Sequence, residues 1–344
     1  MKIVHVLSIE NAASNGISSV VPQYAENQKK YVDVDIIDLC NNTNFDLKYE
    51  DTDLFVLHGV YNIKMLKFWR KYINGKYKYI YVPHGGFTKV SQNKGKLKKM
   101  IANKFLFLKM YKSAEAIQYL CEYEKTHSID LGNTRGIVCP NGITVPNINQ
   151  HNIICNDKIT LLYIGRLDAH HKGIDLLLKA ICVLHSFLVN NNVLIELIGV
   201  CRDGSNRAMK DFIKYNKLDD IVTFNDNGIF GEEKINKILN ASCFIQTSRL
   251  EGLPLGILEA LSYGTPVAVT DPVGVSDVVE KYGCGFHCGC TVKEIVRMIK
   301  LVILNKNKLQ EMSTAAYQAA NFFEWDNVTK STLKKYNEIV KELK

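Results

Sequence analysis

Short runs of β-branched and aromatic residues alternate with longer amphipathic stretches along the whole chain. Six such runs come first: Ile3–Ser8, Val34–Leu39, Leu54–His58, Tyr79–Val82, Ala116–Leu120 and Gly136–Val138. Five more follow at Ile159–Ile164, Leu194–Ile198, Ile221–Phe224, Cys243–Gln246 and Val267–Thr270. None alternates strictly with period two, which is the pattern of strands buried on both faces of a parallel sheet. Between them the spacing turns helical, as at Gly173–Phe187 and Leu255–Ser262. This alternation predicts an α/β architecture with parallel sheets. The two series part at Pro140-Asn141-Gly142 and the asparagine-rich stretch Pro146–Asp157, the best linker in the chain. Two Rossmann-like domains are therefore expected, 1–150 and 151–325, facing each other across an interdomain cleft. Ligands in such sheets bind beyond the carboxyl ends of the strands.

Composition narrows the class. The 344 residues suit two domains, and 47% hydrophobic residues exclude a disordered chain. No stretch approaches the roughly 20 apolar residues of a membrane-spanning helix. Met1–Ser8 reads as a first buried strand and not as a signal peptide. Ten scattered cysteines in a chain of this size do not form a disulfide framework and fit a reducing, cytoplasmic setting. The cluster Cys284, His287, Cys288 and Cys290 lacks a zinc spacing and reads as a glycine-rich loop with buried thiols, so no metal is expected.

Charge adds a partner. The net +8 points to something anionic, and it is unevenly distributed. Leu54–Ala114 holds fourteen Lys and Arg with no Asp or Glu, which leaves the remainder of the chain at −6. Within that run, Lys94–Lys112 sets Leu97, Met100, Ile101, Phe105 and Leu108 at helical spacing among lysines. A basic amphipathic helix suits an anionic membrane surface. The expectation is peripheral attachment to the inner membrane face through residues 54–114. The alternative at this point is a core-packing helix with a solvated basic face.

Two constellations carry chemistry. Gly165 and Arg166 stand at the tip of the strand Ile159–Ile164, and Lys172-Gly173 open the next helix. Two cations and a helix N-terminus at a strand tip can clamp a diphosphate. His170 and His171, between them, are expected to face solvent. Further on, Glu251 and Glu259 flank a turn and a helix start whose amides at Leu255, Gly256 and Ile257 are available to an anion. That arrangement suits an extended ligand with hydroxyls at both ends and charge in the middle.

The segments GRLDAHHKGIDLLLKA (Gly165–Ala180) and SRLEGLPLGILEALSYGTPVAVTD (Ser248–Asp271) resemble retaining GT-B glycosyltransferases. The group includes glycogen synthases and bacterial mannosyl- and galactosyltransferases, glycosyltransferase family 4. PNG at Pro140–Gly142 and FFEWDNVTKSTLKKY near the C-terminus are weaker matches. The resemblance implies a C-terminal helix, 326–344, crossing back to pack on the N-terminal domain. It also implies roles. Arg166 and Lys172 would hold the donor diphosphate, Glu259 the ribose hydroxyls, and Glu251 the hydroxyls of the transferred sugar. Gly165, Leu255, Gly256 and Ile257 would line the donor site, with the base near Phe224–Gly231. In the N-terminal domain, Gly16 would belong to a phosphate loop in Asn11–Ser19, and His84 would face the donor sugar. His58 is a weaker candidate and His5 a core residue.

The expected activity is retaining, metal-independent transfer of a hexose or N-acetylhexosamine. The donor would be a nucleotide-sugar, UDP-linked in preference to GDP-mannose, and no cofactor is needed. The acceptor would be a glycan or lipid-linked glycan in surface polysaccharide synthesis. A nucleotide-sugar epimerase on the same fold is the alternative among enzymes. A basic nucleic-acid-binding protein is the alternative outside them, but no nucleic-acid motif accompanies the basic run, so no nucleic acid is expected.

Overall fold

The computed structural model describes residues 1–8, 16–41, 49–133, 135–147 and 158–342. The chain divides into two units, Met1–Gly142 with Trp325–Lys344, and Ile143–Glu324.

The N-terminal unit carries six strands, β1 (Lys2–Leu7), β2 (Asp33–Asp38), β3 (Leu54–His58), β4 (Tyr79–Val82), β5 (Ala116–Tyr119) and β6 (Gly136–Val138). They form one sheet in the order β2-β1-β3-β4-β5-β6, and every pairing is parallel. Their apolar runs are buried on both faces, as the missing period-two alternation requires: all five residues of β3 and all four of β4 are buried. The topology reverses direction at β1, which lies between β2 and β3.

The helix Trp325–Lys341 belongs to this unit. It buries Val328, Thr329, Thr332, Leu333, Tyr336 and Ile339, a stripe at spacings of three and four. Leu333, Tyr336 and Ile339 share a core with Ile3, Val56 and Ile80. Each such side chain contributes about 1.5–3 kcal/mol by burial. Tyr336 also donates to Gln118 Oε1 at 2.5 Å, and Tyr24 shares a 2.7 Å hydrogen bond with Thr332. The two weaker sequence matches meet here: a Cβ on Gly142 would lie 2.2 Å from the Trp325 ring, so only glycine fits.

The second unit repeats the plan with β7 (Ile159–Ile164), β8 (Val193–Ile198), β9 (Val222–Asn225), β10 (Cys243–Gln246), β11 (Val267–Thr270) and β12 (Gly285–Cys288). Its parallel sheet runs β12-β11-β10-β7-β8-β9. The chain winds outward from β7 to β9, then returns to β10 and winds the other way. The switch point therefore falls between β7 and β10. The strand β12 is a correction, because its sequence reads as a glycine-rich loop. The close approach to β11 needs that glycine: a Cβ on Gly285 would sit 1.9 Å from the Val267 carbonyl oxygen. Cys284 is buried beside it.

Of the linker stretch, residues 148–157 lie outside the described residues. Nine cysteines among the described residues are free thiols. No described helix is long and apolar enough to cross a membrane.

Candidate active site

In the second unit the loops after β7 and β10 lie side by side at the switch point, where ligands of open α/β sheets bind. Gly173 joins them. It adopts φ +67°, and a Cβ there would lie 1.9 Å from the Thr247 carbonyl oxygen. Thr247 Oγ1 donates back to the Gly173 carbonyl at 3.0 Å. Arg249 adds a bidentate pair to Asp175, at 2.6 and 2.8 Å, and donates to the His170 carbonyl. Asp175 sits in the first turn of the helix Ile174–Asn190, and the Arg249 guanidinium holds its carboxyl below the usual range against the opposing effect of burial.

This bracing brings Lys172 to Glu251. Lys172 Nζ donates to Glu251 Oε1, and the two side chains are 14% and 11% exposed. Ser248 Oγ donates to the same oxygen at 2.9 Å and Gln246 Nε2 at 3.0 Å. Three donors converge on Oε1. Glu251 Oε2 accepts from none of the described residues. A carboxylate fixed through one oxygen keeps the other as a pre-aimed acceptor for a ligand hydroxyl.

Arg166 is exposed at the tip of β7, and its Nη2 donates to His171 Nδ1 at 3.3 Å. His171 is half-buried, which corrects the solvent-facing expectation. Burial is the main cause holding its pKa below the ordinary histidine value, with Lys172 and Arg166 adding to it. The imidazole is thus neutral and accepts from the guanidinium, which fixes Arg166 beside Lys172.

Glu259 lies on the helix Leu255–Ser262 and pairs with Lys234 at 2.5 Å. That helix starts at Pro254 without a side-chain cap. The three amides expected there reduce to two. Ile257 N already donates to the Pro254 carbonyl at 3.2 Å, whereas Leu255 and Gly256 have no acceptor among the described residues. Gly256 lets the helix approach β7 closely: a Cβ there would be 3.3 Å from the Ile164 carbonyl.

In the N-terminal unit, Gly16 is the first residue of the helix Gly16–Gln28. Residues 11–15 of the same loop lie outside the described residues. His84 follows β4 with φ 49°, a left-handed conformation that a non-glycine residue adopts under strain. The next amide, Gly85 N, donates to Glu124 Oε1 at 2.5 Å, and Leu120 N donates to Oε2 at 2.7 Å. Glu124 is fully buried, and burial pushes its pKa up to about 7. Toward the core, His84 Nε2 meets His58 Nδ1 at 2.9 Å.

The basic run folds as Lys96–Ala102, a π-turn at Asn103–Phe107, and Leu108–Lys112. It has two apolar faces. Phe107, Met110 and Tyr111 are buried, while Leu97 (65% exposed), Met100, Ile101 and Phe105 (69%) face outward. In the first helical segment no residue is fully buried, and only Ala102 packs against the core, whereas the core-packing alternative holds for Phe107, Met110 and Tyr111. A cavity of about 570 Å³ opens among Lys89, Lys96, Met100, Asn103, Lys104 and Leu108. Asn103 Oδ1 is buried without a partner among the described residues.

Two six-stranded parallel sheets with flanking helices define the GT-B class of glycosyltransferase folds. The profile of the glycosyl transferases group 1 family matches residues 145–319, about half of the chain. The chain belongs to that family. It is 29% identical over 209 residues to an uncharacterized glycosyltransferase of Haemophilus influenzae, covering 58% of this chain and 55% of that protein. The curated relatives it matches are longer, and the chain spans 30% to 55% of their length. Among solved structures it is similar to the sucrose-phosphate synthase of Thermosynechococcus elongatus, with a TM-score of 0.75, 15% identity and 98% of both chains covered. HepE of Anabaena, solved with UDP and glucose, gives a TM-score of 0.70 at 16% identity, covering 98% of this chain and all of that one.

Gln246, Ser248, Asp175, Arg249, Lys234 and Glu124 were not singled out by the sequence reading. Ser248, Arg249 and Asp175 did fall inside a recognised motif, and Gln246 ends a strand run. Lys234 and Glu124 are brought in by tertiary placement, 25 and 39 positions from Glu259 and Gly85, and leave no local signal.

Proposed function

We propose that the chain is a retaining, metal-independent glycosyltransferase. It moves a hexose or N-acetylhexosamine from a nucleotide-sugar, UDP-linked in preference to GDP-linked, to a glycan or lipid-linked glycan. The observation that carries this is the Lys172–Glu251 pair at the switch point, with Arg166 beside it and Glu251 Oε2 left open. Sugar transfer breaks an acetal bond and puts negative charge on the leaving diphosphate. Fixed cations at that oxygen lower the barrier, and Arg166 and Lys172 are the groups available, with the Leu255 and Gly256 amides adding to them. Glu251 Oε2 takes a hydroxyl of the transferred sugar. Glu259 takes the ribose hydroxyls, with Lys234 holding its other side. The UDP and glucose bound by the HepE structure favour a UDP-sugar. His84 contributes a hydrogen bond to the sugar, and Gly16 belongs to the donor phosphate loop.

Thermal-shift screening of UDP-, GDP- and ADP-sugars, followed by transfer of labelled sugar, tests the proposal, because a ligand that prefers the native state raises the midpoint. Label turnover without any acceptor would instead favour the epimerase. Loss of donor binding in every case would overturn both readings.

The same proposal includes a membrane partner. Leu97, Met100, Ile101 and Phe105 form an exposed apolar stripe among Lys96, Lys98, Lys99 and Lys104. Such a surface lies in the headgroup region of an anionic bilayer, each lysine adding about 1 kcal/mol. The lysine-rimmed cavity beside it suits a phosphate-bearing lipid acceptor. Sedimentation with vesicles of anionic or zwitterionic lipid reads this directly; no binding to anionic vesicles at low salt would overturn it.

A further inference from the structure

Three histidines of the N-terminal unit form one hydrogen-bonded chain. His5 lies inside β1, His58 ends β3, and His84 follows β4. Gln28, at the end of its helix, closes the inner end. Gln28 Oε1 meets His5 Nε2 at 2.8 Å, and His5 Nδ1 meets His58 Nε2 at 2.9 Å. His58 Nδ1 then meets His84 Nε2 at 2.9 Å. Neighbouring rings are 5.1 and 5.2 Å apart between centroids. His5 and Gln28 have no exposed surface.

A neutral imidazole has one donor and one acceptor, so the first contact decides all the others. The Gln28 carbonyl oxygen can only accept. His5 must therefore carry its proton on Nε2 and accept through Nδ1. His58 donates to it from Nε2 and accepts through Nδ1, and His84 does the same. The outer nitrogen, His84 Nδ1, is left as a lone pair with no partner among the described residues. Burial lowers the pKa of His5 and His84 to about 4 and holds that of His58 well below its ordinary value, so the chain stays neutral.

Gln28 gains little else from its position. Its Nε2 is buried without a partner among the described residues, a burden that an apolar side chain of the same size would avoid. The amide is present for its oxygen.

We infer that Gln28 is a positioning residue that, through His5 and His58, sets the tautomer of His84 and so presents His84 Nδ1 as an acceptor for a hydroxyl of the transferred sugar. The last step rests on the reading of His84 as a sugar contact given above. The left-handed backbone of His84 and the Glu124 grip on Gly85 fix the angle at which the ring leaves the strand.

The test uses the full chain labelled with ¹⁵N-histidine, and reads ring protonation by proton–nitrogen correlation at neutral pH. His5, His58 and His84 should all be neutral and protonated on Nε2. Finding any of them in the other tautomer or charged overturns the inference, and needs no variant. Gln28→Met removes the acceptor at similar volume. It should mix the His84 tautomers and lower kcat about tenfold, the size of one lost hydrogen bond, with the donor KM changed less than about twofold. Gln28→Glu restores an acceptor and should restore both readouts. An unchanged His84 tautomer in folded Gln28→Met also overturns the inference. Should the tautomers respond as stated while His84→Ala keeps wild-type kcat, the relay stands and the sugar contact falls.

Discussion

At the carboxyl edge of β7 and β10 the side chains are charged and paired; the histidines of β1, β3 and the turn after β4 are neutral, largely buried and linked in a row. Both sets stand at or beside the switch point of a six-stranded parallel sheet. The difference is in what each can offer a ligand. In the proposed mechanism Arg166 and Lys172 supply charge, which a diphosphate needs at the moment its bond breaks. The histidines supply direction, since a neutral ring contributes only a lone pair or a proton at a fixed angle. The charged site keeps its cation in place by pairing it, so that Glu251 serves both as anchor for Lys172 and as an open acceptor. The neutral site keeps its geometry by removing water, at the cost of sensitivity to acid.

The sharpest way to break this comparison is Lys172→Ala. Losing a fixed cation at the leaving group should lower turnover by about 10²–10³, measured by labelled-sugar transfer in a folded variant. Wild-type turnover would remove charge from the account. Acid addresses the other site. His5, His58 and His84 have depressed values, so the unfolded chain takes up protons near pH 6.5 that the folded chain refuses, until about pH 4 for His5 and His84. Glu124, raised to about 7, acts oppositely, one group against three. The Glu124 contribution is lost as pH rises through about 7, but the three histidines outweigh it, so stability should be full above about pH 7 and fall by a few kcal/mol as pH drops toward 4. Urea midpoints at pH 7.5 and 5 measure it, and equal midpoints would contradict a buried neutral chain.

Smaller effects sharpen the picture. Phe105→Asp on the exposed stripe should weaken binding to anionic vesicles at least about tenfold, from the lost burial of an aromatic ring. An unaffected vesicle affinity would leave the lysines as the whole of that surface. Glu259→Gln keeps the shape but weakens the charge-assisted bonds to ribose. Donor affinity measured by calorimetry should drop by about tenfold or less, with turnover of bound donor little changed; a fall in kcat alone would assign Glu259 to the reacting sugar.

Much of this was legible in the sequence. The eleven strands read from apolar runs all occur, because burial on both faces leaves a continuous hydrophobic signature. The strand Gly285–Cys288 escaped, since glycines admitted by close packing against β11 look like loop residues. Arg166, Lys172, Glu251 and Glu259 stood out because a motif gathers them. His5 read as core, and it is buried; that it also hydrogen-bonds to His58 depends on two strands being neighbours, a fact of topology. Gln28, Lys234 and Glu124 were illegible for the same reason. Each acts on a residue that the fold, not the local sequence, puts beside it.

The return of the helix Trp325–Lys341 to the first sheet has a consequence for how the molecule is made. The second unit is continuous in the chain, and its ends are neighbours, with Ile143 bridged to Glu324. It can complete its core while still attached to the ribosome. The first unit cannot. Its sheet emerges before the second unit but lacks Leu333, Tyr336 and Ile339 until that unit has been translated in full. The part translated first is thus finished last, and a nascent chain halted before Trp325 would leave Ile3, Val56 and Ile80 for chaperones to cover.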